Sequence, residues 1–470
     1  MNLRVVFPLM AGVSIVLLNG CVSVGPDYEE PEAGMPDAWH AAVQDEFKTG
    51  EPDLQTWWTV FGDDTLNGLI ERAATNNLDL KTAVARIEQA AALRGVSASQ
   101  YWPDISAGAS ATAFRTAEYE SATGASQSGE RYGADLGMAW ELDLWGRVRR
   151  SVESADASLQ ASVENYRDIL VMLYADIAAS YIDVRTLQER ILFAKNNLEA
   201  QSKTLELTQN RFNSGLVPAL DVSQSQLNLS RTQSLIPPLF QLKVAAVNRL
   251  SVLMGAMPYA LEQELEQTKP IPSASGDLVV GVPAELLRQR PDIRRAEREL
   301  AAQHARIGST KAELYPTLTL PGTLAVGSIG DGYSTSYGFG PQLRWSLFNG
   351  QRIRSQIKAE EAGTKAALHA YEQALLLALE EVEGSMSAYA NEKDRIESLK
   401  VAATSAQKSV DLVTQLYTSG LTDFQNVLNM EQALLEQQDA LATSKGRVSA
   451  NLVGVYKALG GGWNIPAEEE

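Results

Sequence analysis

The chain has 470 residues, with 58 acidic against 40 basic side chains and a formal charge of −18. The acidic balance argues against nucleic acid as a partner, because neutralising phosphates needs a basic face. One cysteine rules out an intrachain disulfide or thiolate metal cluster, and three scattered histidines (His40, His304, His369) do not suggest a metal or catalytic site. No metal, cofactor or enzymatic activity is expected, because phosphate loops, metal-ligand clusters and Gly-x-Ser-x-Gly elbows are all missing from the sequence.

Arg4 precedes an apolar run from Val5 to Leu18, 14 residues long. That is too short for a bilayer-spanning helix, which needs ~20 residues, but it suits a secretory signal over 1–20. The run ends Leu18-Asn19-Gly20-Cys21, which resembles a bacterial lipobox. Cys21 would then become the acylated first residue of the mature chain, each buried methylene adding ~0.8 kcal/mol of membrane affinity. The alternative is an ordinary signal peptide with an incidental cysteine. Residue 22 is Val rather than Asp, and the sorting pattern of such lipoproteins then implies the outer membrane. Residues 21–63, with Pro26, Pro31, Pro36 and Pro52, read as a lipidated, extended, unpacked segment.

Most of the remaining chain repeats. At an offset of 205, Trp140 meets Trp345, Arg147 meets Arg352, Tyr166 meets Tyr371, Ser214-Gly215-Leu216 meets Ser419-Gly420-Leu421, and Gly255 meets Gly460. Upstream the offset is 213, where Asp79 meets Asp292 and Pro103 meets Pro316. The change falls between Pro103 and Trp140, so the first copy carries a loop eight residues longer there. The copies span 64–255 and 284–460, joined by a linker over 256–283 and followed by a tail over 461–470. Each reads helix, two strands, very long helix, tight turn, helix.

The strands are expected at about 104–117 and 131–145, then 317–328 and 335–348. Tyr132, Leu136, Met138, Trp140 and Leu142 alternate with Gly133, Asp135, Gly137, Ala139 and Glu141. Such two-residue periodicity, in segments of ~10 residues with terminal aromatics, matches membrane-spanning strands. The competing interpretation is a soluble hairpin covering a core. The Gly-rich stretch from Gly327 to Gly332 lies between strands and reads as a hairpin tip rather than a nucleotide cradle. The long helices, 146–212 and 351–417, contain no proline. Each would be ~100 Å long at ~1.5 Å per residue. In the second, Tyr371, Leu375, Ala378, Val382, Met386 and Tyr389, and then Ile396, Leu399, Ala403, Ala406, Val410, Val413 and Tyr417, form heptad-type seams that require partner helices. Both helices stop at Ser-Gly-Leu, where a left-handed glycine cap fits. Four strands cannot close a membrane barrel, so several chains must share one.

The lipobox, the Val24-Gly25-Pro26-Asp27-Tyr28 lead, the duplicated plan and the Ser-Gly-Leu tips together resemble the outer-membrane factor family of TolC-like and OprM-like efflux channels. The resemblance implies a mainly α fold with membrane β: a homotrimer with a 12-stranded outer-membrane β-barrel continuous with a 12-helix periplasmic α-barrel. It implies lipid anchoring and barrel insertion in the outer membrane, with extension into the periplasm. It further implies a periplasmic adaptor (a membrane fusion protein) and an inner-membrane pump of the resistance-nodulation-division type as partners. The function expected is passive exit of small molecules; a type I protein-secretion channel and a lipid-anchored coiled-coil scaffold without a pore are the alternatives. By the same resemblance, Ser214, Gly215, Leu216, Ser419, Gly420 and Leu421 would be adaptor-contact tips. Tyr417 and Asp221 would latch a periplasmic gate, with Thr422 where some members have a basic latch residue. Asn426 and Asn429 take the place of lumen carboxylates, implying a weaker cation block. Asp221 also suits plain stabilisation of a helix N-terminus.

Overall fold

The computed structural model describes residues 23–31, 34, 39, 47–49, 54–116, 127–274, 278–280, 288–329 and 332–463. Cys21 and the signal segment lie outside the described residues. In chain order the elements are β1 (Phe47–Thr49), a 3-10 turn (Trp57–Phe61), α1 (Asp64–Asn76), α2 (Leu78–Ser99), β2 (Asp104–Thr116), β3 (Gln127–Leu142), α3 (Arg147–Asn213), α4 (Ala219–Leu253), β4 (Leu278–Val280), α5 (Pro291–Ala312), β5 (Thr317–Ile329), β6 (Gly332–Phe339), β7 (Gln342–Arg344), α6 (Arg352–Thr418) and α7 (Phe424–Ala458). The duplication reaches the element ends: α2 with α5 and β2 with β5 differ by 213, and α3 with α6 and α4 with α7 differ by 205. Between them, residues 117–126 separate β2 from β3, but only 330–331 separate β5 from β6, which is where the register changes.

Contacts divide the chain into two units. One comprises Met1–Glu32, Arg86–Val163 and Arg295–Glu372. Its sheet has the order β2-β3-β5-β6, all antiparallel, with β7 also on β5. The strands of β2, β3 and β5 run 13, 16 and 13 residues, enough for the ~9–11 that a bilayer requires. Among the described residues, β2 and β6 are each paired on one side only. The last strand differs from its expected span of 335–348. It starts at Gly332, breaks after Phe339 and ends at Arg344. Pro341 has no N–H for the ladder, so pairing resumes only at Gln342.

The lead segment in this unit is docked as well as extended, against the expectation of an unpacked stretch. The Val24 amide donates to the Trp145 carbonyl at 3.0 Å. Arg150 donates to Asp27 at 2.6 Å, and the Tyr28 hydroxyl donates to Glu297 at 2.5 Å. Tyr28 packs on Ala157, Ala301 and Ala302. Gly25, with φ of 109°, comes so near Gly308 that a Cβ would lie 2.7 Å from its Cα. A side chain would be excluded there on both grounds.

The second unit comprises Ala33–Ala85, Glu164–Arg294 and Gln373–Glu470. Its core gathers Trp57, Phe61, Leu66, Leu69 and Ile70 with Ile177, Tyr181 and Leu250, all buried. Trp57 stacks on Tyr456, with centroids 5.3 Å apart. Asp63 caps α1 through the amides of Thr65 and Leu66, and accepts the Tyr181 hydroxyl at 2.7 Å. Of the heptad positions in this unit, Leu375, Ala378, Val382, Met386, Tyr389, Ile396, Ala403 and Tyr417 are buried, and Leu399, Ala406, Val410 and Val413 are half-buried, as an apolar seam between helices allows. The linker is built in: Leu261, Leu265 and Ile271 are buried, Arg185 and Gln188 donate to the carbonyls of Gln267 and Leu265, and β4 pairs in parallel with β1. Pro237 and Pro238 sit inside α4, where the duplicate carries Ala442 and Thr443; two intrahelical hydrogen bonds are thereby lost in one copy only.

Candidate functional site: the helix-hairpin tips and their polar ties

Both turns are Schellman caps. The Leu216 amide donates to the Arg211 carbonyl and the Leu421 amide to the Leu416 carbonyl, each at 2.9 Å. Gly215 and Gly420 take φ of 71° and 74°, the left-handed state that closes this motif at little cost only for glycine. Ser214 and Ser419 return their hydroxyls to Asn210 and Gln415, at 2.9 and 3.0 Å. Leu216 and Leu421 are exposed.

The α3–α4 hairpin is tied to the α6–α7 hairpin at its tip. The Tyr417 hydroxyl faces Asp221 Oδ2 at 3.4 Å, a long hydrogen bond. The Tyr417 ring is buried with Phe424, Val427 and Leu428, against Leu207, Val217 and Val413. Burial foremost, and then the Asp221 charge, hold the Tyr417 phenol above its ordinary pKa. Asn426 and Asn429 are not drawn into this contact. Both are exposed on α7, Asn426 donating to Thr422 Oγ1 at 2.9 Å and Asn429 accepting from Gln425 at 3.0 Å.

A stronger tie went unnoticed in the sequence. Arg211 Nη1 donates to the Thr418 carbonyl at 2.7 Å, and its guanidinium lies over the Tyr417 ring, 5.0 Å from the centroid. Arg211 thus brings a guanidinium to Tyr417 from the other hairpin. Its one sequence signal is a basic residue in the last turn of a helix, where the dipole favours it.

Further from the tip the seam of α3 turns polar. Asn197, Gln201, Thr204 and Thr208, spaced 4, 3 and 4, are all buried. Glu431 of α7 is buried among them. Its Oε1 accepts from Thr204 at 2.7 Å and its Oε2 from Asn228 of α4 at 2.8 Å. Desolvation raises its pKa, and the two donors offset part of that shift. Asn197 donates to Gln438 at 2.6 Å, Arg190 clasps Asp439 through two nitrogens, and Lys445 reaches Glu189 at 2.8 Å. Buried polar groups generally find partners, as Asn197, Thr204 and Glu431 do, whereas the buried Gln201 amide has none among the described residues. Arg190–Asp439 and Lys445–Glu189 are half-exposed, and each of these pairs joins one hairpin to the other. Among the described residues no cluster of His, Cys, Asp and Glu could hold a metal, and no helix is long and apolar enough to cross a membrane.

An amphipathic antiparallel sheet joined to duplicated long helical hairpins defines an outer-membrane channel of the efflux class. The model of the outer membrane efflux protein family matches residues 69–256 and 282–461, and the chain belongs to that family. It is 30% identical to Nodulation protein T of Rhizobium leguminosarum bv. trifolii over 464 residues, covering 96% of this chain and 97% of that one. It is 29% identical to the pyoverdine export outer membrane protein OpmQ of Pseudomonas aeruginosa, covering 97% and 98%. The solved outer-membrane channel OprN superposes with a TM-score of 0.86 at 33% identity, over 94% of this chain and 99% of that one. The protein is thus an outer-membrane component of an efflux system.

Proposed function

We propose that three copies assemble into one conduit, a twelve-stranded barrel continued by a twelve-helix tunnel, through which small molecules leave passively. The observation that carries this reading is an antiparallel sheet with one apolar face in which, among the described residues, β2 and β6 are each paired on one side only. Along β3 and β5 the pairs Leu136–Leu324, Trp140–Leu320 and Leu142–Leu318 lie on one side. On β6, Tyr333, Tyr337 and Phe339 share that side and are 91%, 87% and 73% exposed. In lipid, unpaired strand edges cost several kcal/mol per polar group, and sister copies would satisfy them.

The anchor is an acylated Cys21. The tips Ser214-Gly215-Leu216 and Ser419-Gly420-Leu421 meet a periplasmic adaptor, which links the channel to an inner-membrane pump that supplies the energy. Tyr417 and Asp221 hold the mouth closed together with Arg211, and no reaction is catalysed. Small molecules rather than proteins as cargo are supported by the relative named for pyoverdine export. The test is the purified full chain in mild detergent and planar bilayers. A trimer by native mass with discrete conductance steps is expected; a non-conducting monomer would overturn the proposal.

A further inference from the structure

The strand pairing sets the side chains facing away from the apolar side into rows. Thr112, Arg131, Ile329 and Gly332 form the row nearest the hairpin ends, with Phe114 one step further out. Two rows inward, the same face carries Gly108, Asp135, Ala325 and Ser336. Glycine, alanine and serine leave a bore wide. Phe114, Arg131 and Ile329 narrow it across two adjacent rows, on three neighbouring strands. They are organised: the Arg131 guanidinium lies over the Phe114 ring at 5.5 Å, a cation–π contact that presents a permanent charge beside an aromatic face. The charge also has a context, because the acid Asp135 lies on the same strand two rows inward.

We propose that Phe114, Arg131 and Ile329 form an amphipathic collar at the outer end of the conduit, which sorts departing solutes by width and charge. Apolar and anionic solutes pass against the rings, the isoleucine and the guanidinium, whereas bulky or cationic solutes are held back. The inference rests on the trimeric conduit proposed above. Three copies put three guanidiniums and six large apolar side chains around a ring of twelve strands, and like charges so focused bias local ion concentrations.

Cells carrying the full chain with Ile329→Cys or Ala325→Cys test this, using membrane-impermeant thiol reagents, small and bulky, applied from outside. The two positions are four residues apart, ~13 Å along the strand. Small reagents are expected to label both, and the bulky reagent Ile329→Cys alone. The anionic-to-cationic labelling ratio at Ala325→Cys is read against the Asp135 carboxylate beside it, which is common to every variant. Adding Phe114→Ala and Arg131→Ala should admit the bulky reagent to Ala325→Cys and lower that ratio about tenfold. Free entry of the bulky reagent with Phe114 and Arg131 intact overturns the collar, as does continued exclusion after their removal. Should the removal variant fail to insert, the comparison of the two single cysteines decides. Labelling of neither position by the small reagent would sink the conduit reading itself, and the collar with it.

Discussion

Arg211→Ala is expected to loosen the mouth more than Tyr417→Phe does. The Tyr417 hydroxyl reaches Asp221 at 3.4 Å, so its loss costs only ~0.5 kcal/mol, and phenylalanine keeps the buried ring in place. Arg211 donates to the Thr418 carbonyl at 2.7 Å. A bond from a charged donor at a largely exposed site is worth ~1–2 kcal/mol, and the guanidinium over Tyr417 adds ~0.5 kcal/mol. Arg211 Nε is buried without a hydrogen-bond partner among the described residues, which moves the sum toward its lower end, ~1.5 kcal/mol. The closed-to-open ratio should therefore fall ~10-fold for Arg211→Ala and ~2-fold for Tyr417→Phe. Single-channel recording of the purified protein in planar bilayers reads this as open probability. Arg211→Lys should restore part of the effect, since the charge returns without the planar fork. An effect of Arg211→Ala no larger than that of Tyr417→Phe would refute the ranking of the two ties.

Two further outcomes concern the seam. Because Glu431 titrates above the ordinary carboxylate range when folded, the folded state binds its proton more tightly than the unfolded chain does. Its contribution should therefore be full at acid pH and be lost as pH rises through the raised folded pKa. Tm of the wild type measured from acid to neutral pH should carry this decline, and Glu431→Gln should lack it; equal pH slopes for the two proteins would refute the assignment. Gly446 of α7 lies where a Cβ would stand 2.1 Å from Thr186 Oγ1, so Gly446→Ala should cost ~1–3 kcal/mol by overpacking. Thr186→Ala in the same chain should recover most of that loss in thermal unfolding, which a purely helical-propensity effect would not show.

The sheet and the tips were legible in the residues because their determinants are local. Alternation between Tyr132 and Leu142 needs no knowledge of what lies across the sheet, since period two alone assigns the two faces. Gly215 and Gly420 mark the turns because few other residues accept φ near 70°. The duplication located the extra loop between β2 and β3 by offset arithmetic. The break at Pro341 was readable in principle, a missing amide within a strand, but a pattern of side chains does not report it.

Other features depended on residues far apart in the chain. Arg211 and Thr418 are 207 positions apart, and Glu431 lies 227 from Thr204 and 203 from Asn228. A buried glutamate or arginine looks in the sequence like any solvated one, because its cost is met only by partners that folding brings to it. The lead segment makes the same point: Gly25 and Pro26 read as extended chain, yet Gly308, Arg150 and Glu297 hold it down. Periodicity and glycine thus determined the elements and their order. Tertiary structure alone decided which polar groups join one hairpin to the other, because hydrogen bonds depend on distances in space that spacing along the chain does not encode.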